Sequence, residues 1–166
     1  MPRINHVFFC FLLGGTLLLA GCQHRRAPEP PTAVARFLIE TEADSAAVVV
    51  TLPASGVRVR TAAKPVITEF DLAGVAEVQV DLGRCLLFQL TPAATRDLYR
   101  LSAQNLGRRL VLVINGRALG VRVLDRPLEA DALFIFLEVP DNELKTMVED
   151  LNRTTAWLQQ EAARRG

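Results

Sequence analysis

The sequence predicts an α+β fold: a mainly antiparallel sheet with two helices packed on one face. Three observations carry this. From Val34 onward the chain is a series of short β-branched runs, several alternating with period two. The apolar spacing then switches to the helical period twice, after Thr91 and again after Pro140. Each helical segment has a single apolar stripe, so each has one face to bury against a sheet.

In chain order, "AVARFLIETE" sets Phe37 and Ile39 against Arg36, Leu38 and Glu40, a strand. "AAVVVTL" is a second strand, apolar enough to be buried on both faces. "SGVRVRT" alternates Val57 and Val59 with Arg58 and Arg60, so one of its faces meets water; Ser55-Gly56 marks the turn before it. "VITEFDL" has no clear period. "VAEVQVDLG" alternates and reads as a strand, and "RCLLFQL" follows Gly83 as its hairpin partner or as a bulged continuation.

Thr91 then suits an N-cap, and Pro92 suits the first helical position, where its missing N–H is not needed. Ala94, Leu98 and Leu101 share one helical face, and Gly107 ends the helix because it takes positive φ without a Cβ clash. "RRLVLVINGRALGVRVLD" is a hairpin turning at Asn115-Gly116, the pair preferred in a type I′ turn. "ALFIFLEV" is a further strand. Pro140-Asp141 opens a last helix with Leu144, Met147, Val148, Leu151 and Leu158 along its core side. The domain is expected over residues 34–160, with 161–166 as a tail; about 130 residues suffice for one self-supporting core. Whether the first strands share the main sheet is left open by these patterns.

The first residues carry an address. Arg3 precedes the apolar run "VFFCFLLGGTLLLA", which is shorter than the roughly 20 residues that span a bilayer. It ends in Leu19-Ala20-Gly21-Cys22, which resembles the lipobox of bacterial lipoproteins. That resemblance implies a signal peptide over 1–21, cleavage between Gly21 and Cys22, and a diacylglyceryl group on the Cys22 thiol, often joined by a third acyl chain. Two or three chains, at about 0.8 kcal/mol per buried methylene, make a lasting membrane attachment. The alternative is an ordinary secretory signal with a chance cysteine. Gln23, where an aspartate would favour retention at the inner membrane, favours the outer membrane by analogy with proteobacterial sorting. Residues 22–33, "CQHRRAPEPPTA", form a Pro-rich tether that favours an extended chain and would hold the domain roughly 30 Å from the lipid. The expected location is a membrane surface facing the periplasm.

Composition excludes several classes. Without Arg3 the chain has 18 basic and 18 acidic residues, so a strongly basic nucleic-acid binder is not indicated. Cys85 is the one cysteine left after signal removal and lipidation; it lies in "RCLLFQL" and reads as a buried small hydrophobe. The histidines, His6 and His24, fall in the signal and the tether, so no Ser-His-Asp or Cys-His set can be assembled in the domain, and the His and Cys cluster that metal sites usually want is missing, so no metal is expected. No cofactor is expected. The acidic pair Glu149-Asp150 reads as solvated surface.

Charge is unevenly distributed. Thr91–Arg126 holds seven arginines against Asp97 and Asp125, and Pro127–Asp150 holds seven acids against Lys145. One reading is a basic docking surface built from Arg96, Arg100, Arg108, Arg109, Arg117 and Arg122; the other is charge balance between neighbouring elements.

The run from Lys64 to Thr154 is similar to the head subdomain of the first periplasmic domain of SecD, a component of the SecDF protein-export complex. In that family a "PVLTxxDL" segment leads in, an "LTPEG"-like cap opens a helix, and an "NxGK/R-L" signature precedes a DG or NG hairpin. Here "KPVITEFDL", "LTPAAT" and "NLGRRLVLVING" stand in the same order. The chain departs from the pattern after the hairpin, where "LEADA" has no glycine in place of the family's glycine-rich turn. The family's membrane-embedded acidic residues also have no counterpart, so proton-driven export is not expected. What the resemblance implies is a fold and a capacity to hold extended polypeptide. It implies no catalytic residues, because the matched motif consists of caps and turns. The expectation is a lipid-anchored, non-catalytic envelope protein that binds exported polypeptide or another envelope protein. The alternatives are a structural envelope lipoprotein and a hydrolase using unrecognised carboxylates.

Overall fold

The computed structural model describes residues 32–42 and 45–165. Gly21, Cys22, the signal peptide and the tether up to residue 31 lie outside the described residues. The strands are β1 (Ala35–Ile39), β2 (Val48–Thr51), β3 (Arg58–Thr61), β4 (Leu72–Val80), β5 (Gly83–Leu90), β6 (Arg109–Ile114), β7 (Arg117–Val123) and β8 (Ala132–Ile135). The helices are α1 (Pro92–Gln104) and α2 (Asp141–Arg165). The fold is α+β, and every strand pairing among these elements is antiparallel.

The strands divide among three sheets, ordered β1-β6-β7, β2-β3 and β4-β5-β8. β1 therefore joins the later β6–β7 hairpin, while β2 and β3 stand apart, joined to β1 by an isolated bridge between Glu40 and Thr61. The β6–β7 turn has positive φ at both Asn115 (49°) and Gly116 (80°), the geometry of a type I′ turn. β4 and β5 form a hairpin closed at Val80 and Gly83.

Two apolar clusters result. The main core takes Phe37 and Ile39 from β1, Leu110 and Leu112 from β6, Leu86 and Phe88 from β5, and Leu133 and Ile135 from β8. Phe37 and Phe88 meet edge to face at 5.2 Å, joining the two three-stranded sheets. α1 contributes Ala94 and Leu98; α2 contributes Leu144 and Leu151. On the other face of β6, Val111 packs with Ala118, Leu52 and Val59, so the β2–β3 hairpin covers the back of the first sheet.

That arrangement corrects the reading of "AAVVVTL". Val48 and Val49 are about half exposed, at 48% and 49%. β2 is one strand of a two-stranded hairpin, and only Val50 and, just past the strand, Leu52 reach the apolar layer. "VITEFDL" is a short 3-10 turn, Glu69–Asp71, preceded by Ile67, which bridges Phe37. In α2 the buried stripe continues through Thr154 and Thr155, two polar residues whose hydroxyls bond Ala33 O (2.6 Å) and Leu151 O (3.1 Å). Leu158, by contrast, lies outside the main core. Residues 161–165, expected as a tail, continue the helix.

Candidate functional site

The Thr91 hydroxyl accepts the Ala94 N–H at 3.3 Å, with Pro92 in the first turn, so α1 starts as its sequence dictates. Its buried Ser102 holds the chain between β7 and β8: the hydroxyl donates to Tyr99 O (3.0 Å) and accepts from Leu128 N–H (2.8 Å). This places Leu128 and its neighbours as one wall of a cleft.

The opposite wall is the edge of β8. Leu90 N–H donates to Asp131 O at 2.8 Å, which makes Ala132 and Gln89 a non-hydrogen-bonded pair. By strand alternation Ala132 and Phe134 both turn their backbone N–H and C=O away from β5. Further along, β7 and the chain after β8 meet through a Gly120–Leu137 bridge and a Glu138 N–H to Leu119 O bond of 2.7 Å. The two segments then part, and Arg122 stands at the fork. Its Nη1 donates to Phe134 O at 3.2 Å, while its Nε is buried with no hydrogen-bond partner among the described residues. The cleft beside it has a volume of about 490 Å³ and is lined by Arg122, Arg126, Pro127, Leu128, Glu129, Ala130, Ala132 and Phe134.

The six arginines of the expected docking surface are not brought together. Arg96 and Arg100 flank a shallow depression with Tyr99 and Glu129, and Arg100 lies 3.5 Å from Asp97. Arg109 begins β6 with Arg108 just before it, whereas Arg117 follows the turn at its far end, about 17 Å away. Arg109 is engaged by Glu40, which accepts from its Nε (2.9 Å), its Nη2 and its backbone N–H (3.0 Å). The hydrogen bond from Arg109 holds the Glu40 carboxyl below the usual range, against the opposing effect of burial. Arg122 alone of the six faces the cleft, where Arg126 joins it.

Two acidic residues of the 127–150 stretch, Glu138 and Asp150, are taken up by neighbouring groups. Glu138 accepts from Ala54 and Ser55 N–H, both at 2.8 Å, and so clamps the β2–β3 turn. Asp150 pairs with Arg153. Cys85 is fully buried and its thiol is pushed up by desolvation, as expected of a small hydrophobe rather than a nucleophile. Among the described residues no cluster of His, Cys, Asp and Glu could hold a metal ion, and no helix is long and apolar enough to cross a membrane. Sequence reasoning missed the β8 edge and Glu138. The alternation in "ALFIFLEV" identifies a strand but not which of its edges remains open.

Three solved structures share this arrangement. A SecDF structure described as a membrane component that enhances protein export matches over 92% of this chain and 71% of its own, with a TM-score of 0.59 and 16% identity. SecDF in its super-membrane-facing form matches over 73% of this chain with a TM-score of 0.58 and 19% identity. The fold is SecD-like. A third, the translocon-associated SecDF of Thermus thermophilus, matches over 74% at a TM-score of 0.50 and 19% identity. The chain spans 19% of the length of the second and third of these SecDF chains. No protein-family model and no curated protein matches the sequence.

Proposed function

We propose that this chain is a lipid-anchored, non-catalytic polypeptide-binding module of the bacterial envelope, acting in protein export or envelope assembly. The observation that carries the reading is the SecD-like fold over 92% of the chain, shared with a membrane component described as enhancing protein export. The β8 edge supports it, because open backbone donors and acceptors beside a cleft suit an extended chain better than a small substrate. Attachment through Cys22 would place that edge near a membrane surface, with the Pro-rich tether as spacer. The partners are then the membrane, through the acyl chains, and exported polypeptide or another envelope protein.

Crosslinking in intact cells, with a photoreactive side chain at position 134, tests the proposal. Capture of export components or of incompletely folded exported chains is expected. Capture restricted to folded envelope proteins would replace it with a purely structural role for the lipoprotein.

A further inference from the structure

Resting on that polypeptide-binding reading, we propose that the cleft at the β8 edge takes an extended segment bearing a carboxylate, which adds to β8 as a strand. Four observations converge on this edge. Ala132 offers an outward N–H and C=O, and Phe134 an outward N–H, none with a partner among the described residues. Phe134 on β8 and Phe136 just past its end are each 39% exposed, and provide apolar surface for side chains of the added strand. Arg122 is incompletely satisfied: its Nε is buried without an acceptor while Nη1 holds the Phe134 carbonyl. Arg126 is exposed, forms no ion pair among the described residues and lines the same cleft.

The charge of the occupant follows from the two guanidiniums. A carboxylate oxygen is the acceptor that a guanidinium binds best, through paired N–H donors. Glu129 also lines the cleft, but it is shared with the depression that holds Arg96 and Arg100, so arginines face it on both sides. An exposed edge of this kind is otherwise a hazard, since it pairs with any strand that meets it. Arg122 on the Phe134 carbonyl guards part of the edge and selects for an acidic arrival.

The test uses the full chain, purified in detergent, and fluorescein-labelled peptides that alternate valine and threonine around a central residue. Glutamate at the centre should bind about tenfold more tightly than lysine at low salt, with the difference narrowing as salt rises. N-methylation of alternate residues in the glutamate peptide should weaken binding at least about tenfold, because strand addition needs the peptide N–H groups. Arg126→Glu, an exposed substitution, should reduce or reverse the preference for glutamate without altering the thermal transition. Equal binding of the N-methylated peptide overturns strand addition, and equal binding of the lysine peptide overturns the carboxylate. A dimer of the chain that Arg126→Glu dissociates would assign the edge to a second copy, again overturning the proposal. A permanently unfolded, carboxymethylated protein is titrated in parallel. If it binds and Arg126→Glu changes nothing, this site falls and polypeptide binding stands; if neither it nor any peptide binds, both fall.

Discussion

The side-chain amide of Asn152 in α2 pairs with the backbone of Val75 in β4 as a neighbouring strand would. Oδ1 accepts Val75 N–H at 2.9 Å, and Nδ2 donates to Val75 O at 2.7 Å. β4 is an outer strand of its sheet, so Asn152 closes an edge that would otherwise be open where Val75 is buried. The contrast with β8 is direct: one outer strand of this sheet is capped by a helix residue, and the other is left for a cleft.

Asn152→Leu is therefore expected to cost about 2–3 kcal/mol, since it strands a buried donor and acceptor together. Asn152→Asp should fall between, because it retains the acceptor for Val75 N–H and sets a carboxylate against Val75 O. Urea unfolding of the three proteins checks the order; a Leu variant as stable as the parent would show that the pairing contributes nothing.

Gly120 sits where the two three-stranded sheets approach. A Cβ there would lie 2.5 Å from Phe136 O and 2.6 Å from Ile135 Cγ2, and the first of these is backbone that cannot swing aside. Gly120→Ala should destabilise by about 3 kcal/mol and lower Tm accordingly. An unchanged Tm would mean that β7 and the chain after β8 do not meet as described.

Acid should loosen the fold through Glu40 and Glu69. Arg109 lowers the first carboxyl and Arg36 the second, each chiefly by side-chain hydrogen bonds; Arg36 is bidentate to Glu69, with both contacts at 2.9 Å. A carboxyl depressed in the folded state contributes stability that is complete above its unfolded pKa of about 4.3. That contribution is lost as pH falls through the lower folded value. The stability gap between the parent and Glu40→Gln should thus be open at neutral pH and shrink below about pH 4.3. Urea midpoints across that range check it, and a gap that widens on acidification would reverse the assignment.

Cys85 should resist a thiol reagent in the folded protein and react as the protein unfolds, since it is buried and its thiolate is disfavoured. Labelling rates across a urea titration should track the unfolded fraction. Rapid labelling without urea would indicate that β5 opens locally.

Cys22→Ala should move the protein from the membrane fraction to the soluble fraction. Continued sedimentation with membranes would show that another feature anchors it.

Short-range physics made much of this chain legible in advance. The Thr91-Pro92 helix start and the Asn115-Gly116 turn depend on residues a few positions apart, and both stand where the sequence put them. The β2 misreading and the buried threonines of α2 have one cause: burial is set by what a segment packs against, not by its own apolarity.

The sequence by itself determined the α+β class, the main hairpins, the Thr91 cap and the absence of histidine from the domain, whereas α1 ends at Gln104 with Asn105 as its C-cap, two residues before the expected stop at Gly107. The tertiary structure alone decided that the strands split into three sheets, that the six arginines scatter, and which edges stay open. Those outcomes rest on pairings such as Asn152 with Val75, 77 positions apart, and on the meeting of β7 with the chain after β8. Periodicity reports which face of a strand is apolar; it holds no record of the neighbour that arrives from elsewhere in the chain to take up a free edge.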